Sequence, residues 1–165
     1  MSDAAVGTVM AQLVYTNLEG NEFSTAALLA AEVEQEGLIL PGGIQAVLSE
    51  RVINPGCCSG VDDWRGWLSF LEDGTPPWMG HDPWPELEWV GHNARLCANR
   101  DDAETFTIDI PRARYIAELE RVESDLRGFL HRVGAWADMM GWQDSPLLCR
   151  LLDRCLRITD PGITE

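Results

Sequence analysis

Residues 106–140 read FTIDIPRARYIAELERVESDLRGFLHRVGAWADMM, and the hydrophobic period changes at Pro111. Before the proline, Phe106, Ile108 and Ile110 alternate with Thr107 and Asp109, the two-residue period of a strand with one buried face. After it, Ile116, Leu119, Val122, Leu126, Phe129, Leu130, Val133, Trp136 and Met140 keep one face apolar at helical spacing. The pattern predicts a strand running straight into a long helix over residues 112–140, opened by the proline.

Working outward, Leu87–Val90 and Ala94–Ala98 flank Gly91-His92-Asn93 as a hairpin, giving a meander over residues 87–110. Val9–Thr16 reads as an N-terminal strand joining that sheet, with a turn at Glu19-Gly20-Asn21. Thr25–Gln35 reads as a helix capped by Ser24 or Thr25 and ended by Gly37. Its acids Glu32, Glu34 and Glu36 sit at the wrong end for the helix dipole, so it depends on tertiary packing. Pro41-Gly42-Gly43 reads as a turn. Residues 44–53 fit either helix or strand, with strand favoured near Val52.

Asp63–Leu71 reads as a helix with Asp62 as N-cap and Trp64, Trp67, Leu68 and Leu71 on one face. Four prolines between 75 and 86 require an irregular loop there. Asp144-Ser145-Pro146 opens a last helix to about Arg157, and residues 159–165 form a short tail. The expectation is a single α+β domain over residues 1–165: an antiparallel sheet packed by the long helix and shorter ones.

The chain has 27 acids against 12 bases, a formal net charge of −15. Every base is arginine, which excludes lysine Schiff-base chemistry and the lysine of a phosphate-binding loop. Such a charge repels phosphate backbones and anionic membranes and favours encounter with a basic protein. No apolar run is long enough to span a membrane. Met1-Ser2-Asp3-Ala4-Ala5 lacks the basic start of a secretory signal, so a cytoplasmic protein with reduced thiols is expected.

Residues 57–89 hold five of the seven tryptophans, seven acids and one base, Arg65. Trp64, Trp67 and Trp89 read as core. Trp78 and Trp84 sit in the proline-stiffened loop, where no periodicity assigns them to a core and a rigid aromatic can anchor a partner. Cys57, Cys58 and His81, with His92 and Cys97, are ligand types zinc prefers, but they form neither a Cys-x-x-Cys knuckle nor a His pair one turn apart. Cys58 precedes a helix, whose dipole is expected to lower its pKa; His81 would then be the base and Asp82 or Asp62 its orienter. Asp82, Glu86 and Glu88 lie near tryptophans able to stack on sugars, although with 27 acids such proximity is expected by chance.

Pro55-Gly56-Cys57-Cys58-x-Gly60, Asp63-Trp64-Arg65-x-Trp67 and Pro77-Trp78-Met79-Gly80-His81-Asp82-Pro83 together resemble a signature of small high-GC bacterial proteins. The resemblance covers about residues 51–140. It implies that the tryptophan-rich block is a family feature and lends no catalytic residues. Size, acidity and α+β order are also similar to those of bacterial immunity proteins that neutralise basic toxins, a likeness of class alone.

Two function classes follow. The first is an acidic module binding a basic protein, in the manner of an immunity or adaptor protein, without cofactor. Trp78, His81, Asp82, Trp84, Glu86 and Glu88 would form its contact surface. The second is a small hydrolase or metal-binding enzyme built on Cys57, Cys58, His81 and Asp82. A homo-oligomer formed through Leu147, Leu148, Leu151, Leu152 and Cys155 is a third expectation.

Overall fold

The computed structural model describes residues 1–18, 24–34 and 37–159. In chain order the elements are α1 (Asp3–Asn17), α2 (Thr25–Glu34), β1 (Ala46–Leu48), β2 (Arg51–Ile53), a 3-10 turn (Val61–Asp63), α3 (Trp64–Glu72), β3 (Glu86–Val90), β4 (Asn93–Cys97), β5 (Thr107–Pro111), α4 (Arg112–Met139) and α5 (Ser145–Cys155). The fold class is α+β, with two small antiparallel sheets and the long helix packed on one of them. The residues group into two compact units, Met1–Leu40 with Glu123–Glu165, and Pro41–Val122.

In the first unit the N-terminal segment corrects the sequence expectation. Residues 9–16 belong to helix α1, not to a strand. The β-branched residues Val9, Val14 and Thr16 suggested β structure, but Val6, Met10, Leu13 and Asn17 recur at helical spacing and are the buried positions. Ser2 starts the helix by accepting the Ala5 N–H at 3.3 Å. Asn17 ends it with its side chain: its Nδ2 donates to the carbonyls of Leu13 and Ile39, and its Oδ1 accepts the Ile39 N–H, each at 2.7 Å.

Helix α2 is capped by Ser24, whose Oγ accepts the Ala27 N–H at 3.1 Å. Its acidic end finds the tertiary support it needs, since Glu32 takes a two-pronged ion pair from Arg154 of α5 at 2.8 and 2.6 Å. The turn expected at 19–21 lies outside the described residues. Leu148, Leu151 and Leu152 of α5 are almost fully buried within the chain. These three leucines of the apolar face thus pack internally, while Leu147 and Cys155 are half-buried.

In the second unit β1 and β2 form a two-stranded hairpin, so the strand reading near Val52 holds. Strands β3, β4 and β5 form the meander, with Leu87 opposite Leu96 and Leu96 opposite Ile108 on the buried face. The 3-10 turn adds residues in front of α3, which leaves Asp62 inside the element, not at its N-cap. Trp64, Trp67 and Phe70 are the buried positions of α3, one residue round from the expected Leu68 and Leu71.

Helix α4 is rotated likewise. Tyr115 and Leu119 enter the core, whereas Ile116 is 38% exposed. The Tyr115 hydroxyl donates to the Trp67 carbonyl at 2.9 Å, which satisfies the phenol inside the core. Trp89 stacks on Phe70 with centroids 4.7 Å apart and donates its indole N–H to the Phe70 carbonyl at 3.2 Å. Pro111 pairs with Asn93 as the last residue of β5, so the helix begins at Arg112. At the other end of the stripe Met140 lies outside α4 and is exposed. Among the described residues no helix is long and apolar enough to cross a membrane.

Candidate functional site

Two irregular loops of the second unit meet here, residues 54–60 after β2 and residues 75–85 before β3. They join as a short antiparallel bridge. The Gly56 N–H donates to the Met79 carbonyl at 2.7 Å, the Cys57 N–H to the His81 carbonyl at 2.5 Å, and the His81 N–H to the Cys57 carbonyl at 3.0 Å. The approach is close enough to require glycine. A Cβ on Gly56 would sit 2.5 Å from the Pro83 carbonyl oxygen and 2.6 Å from that of His81. Gly80, at φ +81°, faces the backbone of Gly56 and Cys57 in the same way. Buried Met79 and Pro77 hold the second loop down. Pro77 packs on α3 at Gly66, where a Cβ would meet it at 3.1 Å.

The bridge sets the side chains. Residues directly opposite in an antiparallel pair project to the same face, so Cys57 and His81 share one side. Adjacent residues of an extended chain project to opposite sides. Cys58 escapes that rule because its backbone is left-handed, at φ +65°, and its sulfur lies 3.3 Å from that of Cys57. Asp82 is also left-handed, at φ +51°. Two non-glycine residues in this costly region, on facing loops, mark a constrained site. One donor atom each from Cys57, Cys58 and His81 lies within 4.8 Å of the others. His92 and Cys97, which the sequence offered as further ligands, fall on the meander and outside this group.

The Cys58 thiol is pushed above its ordinary value, first by its hydrogen bond with Cys57, then by the Cys57 charge, desolvation and the Asp82 carboxylate. This reverses the expected lowering. The helix that was to activate the thiol begins only after Gly60, and the Asp63 carboxylate accepts the Gly60 N–H at 2.9 Å where an anion would bind. His81 Nδ1 lies 3.4 Å from the Asp82 carboxylate.

An aromatic wall stands beside the thiols. The Trp78 indole N–H donates to the Cys58 carbonyl at 3.1 Å, which fixes a ring 47% exposed. Trp78 and Trp84 meet edge to face at 6.3 Å, and the His81 ring lies 5.7 Å from Trp84. The loop between β4 and β5 clamps Trp84. The Arg100 guanidinium sits 4.5 Å over its ring, the Arg100 N–H donates to its carbonyl at 2.9 Å, and its own N–H donates to Asn99 Oδ1 at 3.3 Å. Sequence reasoning missed Asn99, Arg100 and the paired glycines. Asn99-Arg100 follows the meander's second strand with no periodic signal, though Gly56 and Gly80, each inside one of the three motifs, were a usable hint.

The acids divide. Asp82 is exposed beside His81, and Glu86 is exposed at the start of β3. Glu88 lies further along β3 opposite Arg95, which forms a two-pronged pair with Asp109. Elsewhere, a cavity of about 380 Å³ in the first unit is lined, among the described residues, by Ser24, Thr25, Trp136, Met140, Gly141, Trp142 and Gln143, none of which is a titratable side chain for acid–base chemistry.

No family model, curated protein or solved structure matches the chain.

Proposed function

We propose that the protein is an acidic recognition module that binds a basic protein segment at the Trp78–Glu86 loop, in the manner of an immunity or adaptor protein. The observation that carries this reading is the fixed, half-exposed Trp78 ring set edge-on to Trp84 beside exposed Asp82 and Glu86. Rigid aromatics lose little freedom on binding and serve as anchors, while carboxylates around them steer a cation-rich partner. The −15 net charge extends that field over the whole chain and speeds encounter. Glu88 is exposed too, further along β3.

A hydrolase built on Cys58, His81 and Asp82 has weaker support. A thiol held above its ordinary value is mostly unionised at neutral pH and is a poor nucleophile.

The test is capture of a basic partner, followed by affinity measurement against salt and against Trp84→Ala. Affinity should fall between about 50 and about 300 mM salt as surface charges are screened. Trp84→Ala should weaken binding by about tenfold or more. Binding that ignores both salt and Trp84→Ala would overturn the assignment of the surface.

A further inference from the structure

We propose that Cys57, Cys58 and His81 form a binding site for a thiophilic d10 cation, Zn²⁺ or Cu⁺, held by two thiolates and one imidazole with a coordination position left open. The donor set is the soft sulfur and imidazole chemistry that selects these ions over Mg²⁺ and Ca²⁺. The backbone brings the donors together from positions that sequence spacing keeps apart. The Cys57–His81 bridge puts a thiol and an imidazole on one face, and the left-handed turn at Cys58 returns the second sulfur to the first.

The separations suit an ion. The sulfurs are 3.3 Å apart and the three donor atoms lie within 4.8 Å. Zn–S bonds of about 2.3 Å and Zn–N bonds of about 2.0–2.1 Å at tetrahedral angles place ligand atoms roughly 3.5–3.8 Å apart. Small side-chain rotations, opening the sulfurs and drawing in the ring, meet that geometry. Both cysteines are exposed and free of disulfides, so the two sulfurs can open. Binding one Zn²⁺ converts two thiols to thiolates and releases two protons, so affinity rises with pH. This inference goes beyond the recognition reading and does not depend on it, because the site needs no protein partner.

The experiment uses the full chain, reduced and freed of metal. It is titrated with Zn²⁺ and with Cu⁺, each against a competing chelator, and with Co²⁺ as a coloured substitute for zinc. One equivalent should bind, with sulfur-to-cobalt charge-transfer absorption in the near ultraviolet and quenching of tryptophan emission by Co²⁺, since Trp84 and Trp78 lie 5.7 and 6.3 Å from the His81 ring. Cys57→Ser, Cys58→Ser and His81→Asn should each weaken binding at least tenfold, whereas Cys97→Ser should not. The ion retained against the stronger competition is the one the site selects. Binding below one equivalent, or affinity unchanged in Cys57→Ser, would overturn the proposal. If a variant fails to fold, alkylation of the native chain decides: metal should protect Cys57 and Cys58, and equal labelling with and without metal refutes the site.

Discussion

Gly56→Ala tests whether the loop bridge builds the site. The added Cβ would lie 2.5 Å from the Pro83 oxygen, 2.6 Å from the His81 oxygen and 2.8 Å from the His81 nitrogen. All three are backbone atoms, so no flexible side chain can swing away. If the loops absorb the clash in place, overpacking costs about 1–3 kcal/mol. If they part instead, three backbone hydrogen bonds open at about 0.5–1.5 kcal/mol each. The first route lowers stability by about 1–3 kcal/mol and the second by about 1.5–4.5 kcal/mol. The matched control is Gly128→Ala in α4, where a Cβ meets nothing within 4 Å. There the better helix propensity of alanine should raise stability by about 0.5–1 kcal/mol. Denaturant unfolding measures both effects, and amide hydrogen exchange at Cys57 and His81 reports whether the bridge has opened. An unchanged midpoint with both amides still protected in Gly56→Ala would refute the claim that close backbone approach at glycine holds the loops.

Tyr115→Phe removes a buried hydrogen bond to the Trp67 carbonyl and should cost about 0.5–1.5 kcal/mol in urea unfolding. Burial also raises the Tyr115 pKa, so its contribution is complete below the unfolded phenol's value near 10 and is lost as pH rises toward the folded value. Native protein should therefore lose stability between pH 9 and about 11.5 more steeply than Tyr115→Phe, and equal slopes would count against the buried phenol. Asn17→Ala removes the side chain that ties the end of α1 to Ile39 and should destabilise by about 1–3 kcal/mol, seen as a lower thermal midpoint.

The meander and the long helix were legible in the sequence because each is specified locally. Alternation over 106–110 and helical spacing after Pro111 need no distant partner to be read, and the turn at Gly91-His92 is marked by its glycine. Composition likewise established the acidity and the absence of lysine. Tertiary structure decided what local pattern left open. Val9–Thr16 carried β-branched residues, yet burial of Met10 and Leu13 made it helix. The buried face of α4 includes Tyr115 and excludes Ile116, because the Trp67 carbonyl satisfies the phenol inside the core. Residue type suggested grouping Cys57, Cys58 and His81, but nothing in their spacing fixed the contact between them. Cys57 and His81 belong to two irregular loops with no period, and they meet because glycines at 56 and 80 let two backbones touch. Spacing along the chain measures only separation in sequence, whereas a thiol–imidazole pair is fixed by hydrogen bonds that exist once the loops have folded together.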